Sequence, residues 1–477
     1  MALASTCRSA ILFLHAIPPM KDLIYHFLQR QWDGISPVLI AVSGGPDSLA
    51  LLHMFLHEKR LHPTLAIAHI DHGWRKESRA ESEQLEALAK EHKIPFHIQR
   101  LDPSQLKGNL EAACREERLN FFKTLLKSYN YQAVVLGHHS DDQAETVLKK
   151  LFEYTAIPAL KGMQEESIHE GFVLWRPLLN TPKKEILKYI NVHDLKPFDD
   201  VTNRDTRFLR ARMREKLLPE LSELFGKDIK SALCRIGHDA TDFSSYLDKK
   251  IAIYSTCIEE NAFGSKLDLR KMCPEETLEL KHLLRTFFKR YGLQLSLEAL
   301  QTSLTLLMKN AANKQIKSGN HLLHIDRKIA FLTRDIDLKG IATSPSRDHI
   351  PVPAPGEELQ WADWHVSVTQ GIAAETPSYT TDWEDVWDGV ATVTLPLGQY
   401  YLANAAPNDQ FPGNSPISKL WNNLKVPTFL RDRVPVVLNH CPHEGKQTIV
   451  HEFLSGRRHF STIPGCKVLN LVLIRKV

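Results

Sequence analysis

Ser43 to Ser48 reads Ser-Gly-Gly-Pro-Asp-Ser, a short stretch holding two hydroxyls, two glycines and one carboxylate. It follows an unbroken, partly β-branched apolar run, Val38 to Val42, and precedes a run in which Leu49, Leu52 and Leu56 recur at helical spacing. A buried strand that turns into a helix leaves backbone N–H groups unpaired and aimed outward under the positive end of the helix dipole, which makes an anion site. A loop that delivers a terminal phosphate would carry Gly-Lys-[Ser/Thr], with the lysine on the outer phosphates. Here Asp47 stands near the place of that lysine, and a carboxylate there suits Mg2+ bridging phosphate oxygens. The expected phosphate-binding set is Ser43, Gly44, Gly45, Pro46, Asp47 and Ser48, with Asp47 as metal ligand. Two more segments carry chemistry: "HIDH" at His69 to His72, with Asp71, and "GHHSDDQAET" at Gly137 to Thr146. Asp142 and Glu145 share a helix face. Asp141 is either a third member of that cluster or the N-cap of the helix, and His69 and His72 are either site residues or satisfied loop histidines.

These residues need a scaffold that brings separate loops together. Thr64 to Ile70 and Ala133 to His139 read as further buried strands, while "ESEQLEALAKEH" and "NLEAACREERLNFFKTLLKSY" read as amphipathic helices. The alternation predicts an α/β fold, a doubly wound parallel sheet of Rossmann-like type, in which chemistry collects beyond the carboxyl ends of the strands. All three loaded segments follow such ends, so they are expected to converge. Beyond Pro219 the pattern turns helical, "HLLHIDRKIAFLTR" reads as a strand pair, and 342–358 is rich in proline and polar residues. The expected organisation is an uncertain extension at 1–20, a catalytic domain at 21–218, a mainly helical tRNA- or substrate-binding domain at 219–341, a linker at 342–358 and a small α+β domain at 359–477.

The length of 477 residues calls for more than one core, and a net charge of +4 does not by itself announce nucleic acid. The seven cysteines are scattered and never arranged as Cys-x-x-Cys, which disfavours a disulfide framework or a zinc ribbon and fits a reducing, cytoplasmic compartment. The apolar stretch Ala10 to Leu14 is interrupted by His15 and lacks a small-x-small cleavage site. Met20 is the expected working start. No stretch is apolar enough for long enough to span a bilayer, so no membrane partner is expected, nor any obligate protein partner.

The Ser43–Ser48 loop resembles the PP-loop of the N-type ATP pyrophosphatases, which split ATP into AMP and pyrophosphate and use the AMP to activate a carbonyl oxygen. Five further segments occur in order: "AHIDHGWR" (Ala68 to Arg75), "NLEAACREERLNFF" (Asn109 to Phe122), "GHHSDDQAETVL" (Gly137 to Leu148), "RPLL" with "KKEI" (Arg176 to Ile186), and "FDDVTNRDTRFLRARMREKLLPEL" (Phe198 to Leu221). Together they resemble the tRNA(Ile)-lysidine synthetase family, and "KLWNNLKVPTFLRDRVPVV" (Lys419 to Val437) is similar to that family's terminal domain. The resemblance implies an ATP-dependent carbon–nitrogen ligase. ATP, with Mg2+, adenylates the C2 oxygen of the wobble cytidine of the CAU-anticodon isoleucine tRNA; the ε-amine of free L-lysine then attacks C2 and expels AMP.

On that chemistry Asp47, Asp71, Asp142 and Glu145 are the expected catalytic residues. His138, Asp142 and Glu145 are expected to receive lysine, and Asp71 to orient metal or cytidine. The tRNA side rests on arginines: Arg207, Arg210 and Arg214 fall on one helical stripe, suited to phosphates or equally to a solvated face. Arg115 is a tRNA contact or a salt-bridge partner of Glu111, and Arg431 and Arg433, with Lys419 and Lys425, would serve the C-terminal unit. Two positions depart from the family: Ala211 stands where asparagine is expected and Glu153-Tyr154 where Arg-Gly is expected. The rival readings are another PP-loop tRNA-modifying enzyme, a metal-dependent phosphoesterase using "HIDH" and "HHSDD", and a tRNA-binding protein with a vestigial nucleotide site.

Overall fold

The computed structural model describes residues 20, 22–71, 73, 78–102, 110–153, 156–198, 209–261, 263–293, 295–318, 321–334, 349–375, 382–405, 409–411, 416–440 and 447–475. The contacts divide the chain into two compact units, Met1–Tyr246 and Leu247–Val477.

The first unit is built on a six-stranded sheet. Its strands are β1 (Val38–Ala41), β2 (Leu65–Asp71), β3 (Phe96–Arg100), β4 (Val134–Val135), β5 (Glu166–His169) and β6 (Phe172–Trp175), in the order β3-β2-β1-β4-β6-β5. All pairs are parallel except the edge hairpin of β5 with β6. The helices are α1 (Leu23–Gln31), α2 (Pro46–His57), α3 (Ser78–Glu91), α4 (Leu110–Tyr129), α5 (Ser140–Phe152) and α6 (Lys183–Val192). Val38 and Ile40 face a core shared with α1, α2, α3 and α6, whereas Leu39, Ala66 and Ala68 face Phe122 and Leu125 of α4. A strand whose alternate residues enter two different cores must be apolar throughout, and that is why Val38 to Val42 shows no polar alternation. The expected doubly wound sheet is present. β1 lies between β2 and β4, so successive connections depart to opposite sides of it and open a crevice at its carboxyl end.

Helix continues through α7 (Leu209–Arg212), a π turn at Met213–Leu217, α8 (Leu218–Phe225) and, after a break, α9 (Ile229–Ile251). Pro219 stands at the start of α8. It has no N–H to give, and its ring conflicts with the carbonyl four residues earlier, so the helix ahead of it opens from α to π. The boundary expected at 218/219 falls inside this continuous run, because Met213, Leu218 and Leu233 pack on Ala144, Val147 and Leu148 of α5.

The second unit contains more sheet than the helical periodicity of 219–341 predicts. Ile258–Asn261, Gly264–Asp268, Ile329–Arg334, His321–Asp326 and Lys314–Ser318 form one antiparallel sheet, covered by Thr277–Arg290 and Leu297–Met308. "HLLHIDRKIAFLTR" is the predicted strand pair. Two further antiparallel sheets occupy the rest, and Phe263, Ile329 and Phe331 share one core with Trp364, Trp387 and Leu471. Of the expected linker, 342–348 lies outside the described residues, whereas Ile350–Pro351 pairs with Tyr401 and Leu402 and Glu358 begins the strand Glu358–Trp361, so its second half belongs to the sheets instead of joining them.

Candidate active site

The loop after β1 has the geometry its composition predicts. Gly44 adopts φ +85°, and a Cβ there would run into the Phe198 ring; the Phe198 N–H in turn donates to the Gly44 carbonyl at 2.9 Å. Only glycine meets both demands without strain. Gly45 precedes α2, with Pro46 in its first turn, where the missing N–H costs no hydrogen bond. The Ser48 hydroxyl donates to the Gly45 carbonyl at 3.1 Å and accepts the Ser43 N–H at 3.2 Å, which ties the loop closed. Among the described residues the amides of Gly44, Gly45, Asp47 and Ser48 have no acceptor. Amides so placed at the start of a helix suit an anion.

The loop after β4 is pressed against it. A Cβ on Gly137 would lie 3.2 Å from both the Asp47 carbonyl carbon and the Ser48 nitrogen, closer than almost any side chain tolerates. This packing brings the "GHHSDDQAET" segment onto the start of α2. His139 caps α5, and its N–H donates to Asp142 Oδ2 at 3.1 Å. Asp141 is therefore not the cap; it accepts the Lys183 N–H at 3.1 Å and the Lys230 ammonium at 2.6 Å. His139 Nε2 also stands 3.7 Å from Asp47 Oδ1 and 3.4 Å from Asp142 Oδ2.

Asp142 and Glu145 do share a face of α5, and Arg214 meets both. Its Nε donates to Glu145 Oε1 at 2.7 Å, and its terminal nitrogen lies 3.2 Å from Asp142 Oδ1. Burial of Glu145 raises its carboxyl above the usual range in spite of this partner. Burial works against the Arg214 charge, but Glu145, Asp142 and Asp47 together raise its pKa. Arg214 thus sits in the carboxylate cluster instead of on a solvated stripe with Arg210. Arg210 is exposed, and Arg207 lies outside the described residues.

His138 is held neutral, its pKa lowered to about 4 chiefly by burial and further by Arg176, Arg118 and Arg210. Its Nδ1 has no hydrogen-bond partner among the described residues. Exposed Arg115 acts on buried Arg176 in the same way, so a set of positive charges surrounds the His138 side of the crevice. The side chain of Glu111, the alternative partner for Arg115, is outside the described set.

The second loop contributes less. His69 is satisfied at both nitrogens, by the Val42 carbonyl at 2.8 Å and Ser82 Oγ at 3.0 Å; it is a structural histidine joining β1, β2 and α3. Asp71, also buried, accepts the Gly73 N–H at 2.9 Å. His72 lies outside the described residues. In the second unit Arg431 is tied to the Val426 carbonyl and Asn422 Oδ1, and Arg433 is only 6% exposed, over the Phe429 ring; neither presents a free guanidinium to a surface ligand.

Three residues that the sequence reading left unassigned belong to the site. Lys183 Nζ sits 2.5 and 2.6 Å from the two Asp47 oxygens, Lys230 holds Asp141, and Cys234 donates to the Ser140 carbonyl at 3.2 Å. Burial, with Asp141 and Asp228, pushes the Cys234 thiol up to about 11, so it is no thiolate. Lys183 had a signal: lysines in the first turn of α6 oppose the helix dipole, and an unfavourable charge position invites a functional reading.

A PP-loop domain model matches residues 20–221. The tRNA(Ile)-lysidine synthase of Protochlamydia amoebophila is 34% identical over 454 residues, covering 94% of this chain and 96% of that protein. This chain belongs to the tRNA(Ile)-lysidine synthase family. The Chlamydia trachomatis serovar L2 synthase is 38% identical over 273 residues, 57% of this chain and 84% of that protein. Among solved structures, the U34-tRNA thiolase NcsA of Methanococcus maripaludis matches 47% of this chain and 78% of that one at 16% identity and a TM-score of 0.39. Of the two departures from the lysidine synthase pattern, Ala211 is buried, and Glu153 is exposed at the end of α5 with Lys149 at 3.6 Å; Tyr154 is outside the described residues.

Proposed function

We propose that this chain is an ATP-dependent ligase that joins L-lysine to C2 of the wobble cytidine of the CAU-anticodon isoleucine tRNA, giving lysidine, AMP and pyrophosphate. One observation carries the reading: the loop after β1, whose amides have no acceptor among the described residues, and the carboxylates of α5 meet at His139, whose Nε2 stands 3.7 Å from Asp47 Oδ1 and 3.4 Å from Asp142 Oδ2. The first feature suits the phosphates of ATP, and the second suits a cationic amino-acid substrate.

In this reading the Gly44, Gly45, Asp47 and Ser48 amides hold the phosphate chain while the cytidine oxygen attacks the α-phosphorus. Asp142 and Glu145 receive the lysine ammonium groups once Arg214 yields them, and neutral His138 lies beside the pair as a proton acceptor. The grouping of Arg115, Arg118 and Arg210 supports placing tRNA phosphates on that side. Among the described residues no group of three or more His, Cys, Asp or Glu side chains could hold a metal by itself. That suits Mg2+, which binds through one or two carboxylates together with substrate phosphates, with Asp47 as the protein's share; bound there it would offset phosphate charge. No helix among the described residues is long and apolar enough to cross a membrane, and a cytoplasmic site of action fits the reaction. The phosphoesterase reading is not favoured: both His69 nitrogens are engaged within the fold.

The test is incorporation of radiolabelled lysine into the CAU-anticodon isoleucine tRNA with and without ATP, counting AMP alongside. One AMP per lysine, only with ATP, is the expected result; AMP without lysine transfer would move the assignment to another PP-loop reaction.

A further inference from the structure

We infer that Lys183 is the cation the phosphate loop lacks, supplied from α6 across the crevice to the departing pyrophosphate; the inference rests on the proposed ATP reaction. Loops that bind outer phosphates commonly carry a lysine of their own, and the Ser43–Ser48 loop has none. Lys183 supplies an ammonium to that loop from outside it, on the carboxylate of Asp47, whose own amide and that of Ser48 have no acceptor among the described residues.

Stability does not account for the placement. The Lys183 and Asp47 side chains are 29% and 26% exposed, and an ion pair so open to water contributes little. Lysine at the first position of α6 also opposes the helix dipole. The root of the side chain is nonetheless fixed: its backbone N–H is held by Asp141, which is itself held by Lys230. A fixed root and a partly solvated ammonium form an arm that can exchange one anion for another. Without nucleotide it neutralises Asp47. With ATP on the amides, it turns from Asp47 to the β- and γ-phosphate oxygens.

The chemistry balances without moving a proton through Lys183. A bond forms between the cytidine C2 oxygen and the α-phosphorus, and the bond from that phosphorus to the bridging oxygen breaks, its electron pair leaving with pyrophosphate. The ammonium keeps its protons and donates hydrogen bonds to the charge that grows on the leaving group. A donor aimed at developing charge in a preorganised site is worth about 10²–10³ in rate.

The experiment measures binding of inorganic pyrophosphate and of AMP, each with Mg2+, to the full-length wild type, K183M and K183Q by titration calorimetry. AMP formation with tRNA and ATP is followed in parallel. Methionine removes the charge, whereas glutamine still donates a hydrogen bond to Asp47 and serves if K183M does not fold. Either variant is expected to lose about tenfold or more in pyrophosphate affinity, a charge-assisted hydrogen bond's share, to keep AMP affinity within about twofold, and to form AMP about 10²–10³ more slowly. Unchanged pyrophosphate binding overturns the role of Lys183. So does equal weakening of both ligands, which is what a merely displaced loop produces. A wild type that binds neither ligand and forms no AMP overturns the ATP reaction itself, a result distinct from the other two.

Discussion

Arg214 and Glu145 meet at 2.7 Å across two helices, the arginine on the π turn ahead of α8 and the glutamate one turn into α5. The π turn changes the direction in which Arg214 points relative to Arg210, and the pair closes over a carboxylate that is only 3% exposed. Removing the arginine strands a buried charge, which is costly. Because the Arg214 side chain is itself 37% exposed, the full figure for a buried pair must be discounted for solvent. R214A is expected to lose about 1–2 kcal/mol. R214A with E145Q is expected to recover part of that, since the stranded charge is gone. Thermal melts of the single and double variants check this, and a double variant no more stable than R214A would remove the pair from the account.

Acid sensitivity follows from histidines that the fold holds neutral. Burial lowers His138 and His324 to about 4 and His451 to about 3, against 6.5 unfolded. The unfolded chain therefore binds more protons between those limits, so stability is fully present above pH 6.5 and drains away as the pH falls towards 4. At pH 5.5 each contributes a loss of about 1 kcal/mol. Raised Glu145 and Glu452 act in the opposite sense. Neither nitrogen of His451 has a hydrogen-bond partner among the described residues, and its ring packs edge-on against Phe453. H451F should therefore fold at least as stably at pH 7 and lose less between pH 7 and 5.5. Urea midpoints at the two pH values decide it, and equal losses in wild type and variant would refute it.

Gly137 has no positive φ to justify it, yet a Cβ there presses on the backbone of Asp47 and Ser48. Neither neighbour is a flexible side-chain end, so the loop after β1 must shift by a few tenths of an ångström. G137A is expected to retain its fold while AMP formation falls about 10–100-fold, as displacement of a preorganised site predicts. Wild-type turnover in a folded G137A would show that the two loops move independently.

The parallel strands β1, β2 and β4 and the loop after β1 were legible because they rest on local signals, an apolar run, a glycine pair and helical spacing; β3, β5 and β6 were not read. Gly137 stood in a quoted motif but gave no sign of its packing role, since nothing local predicts which backbone will lie against it. Arg214 was misplaced by treating 207–214 as regular helix. A π turn caused by Pro219 changes the periodicity before the proline, where stripe arithmetic does not look. The partners of Lys183 and Lys230, Asp47 and Asp141, are distant in sequence, so Lys230 gave no sign of a role and Lys183 only the weak one of an unfavourable charge position at the start of α6. Of the sheet in 258–334 the pair His321–Arg334 was legible, and the other three strands were missed for another reason. Those strands are short, and the long helices Ile229–Ile251 and Thr277–Arg290 beside them dominate the pattern.

Arg210 and Arg433 offer a controlled contrast on the tRNA side. Both were expected to contact tRNA, but the structure leaves Arg210 exposed and buries Arg433 against Phe429. An exposed arginine that neutralises one phosphate releases about one counterion, so R210A should weaken tRNA binding uniformly and reduce the slope of log K against log salt by about 1. A buried arginine has no such counterion to release. R433A should leave that slope unchanged and instead lower the melting temperature, through lost packing in the second unit. The measurement is tRNA affinity across a salt series for both variants. A flattened slope for R433A would place tRNA at a guanidinium this fold covers, and an unchanged slope for R210A would remove the arginines around His138 from the tRNA path.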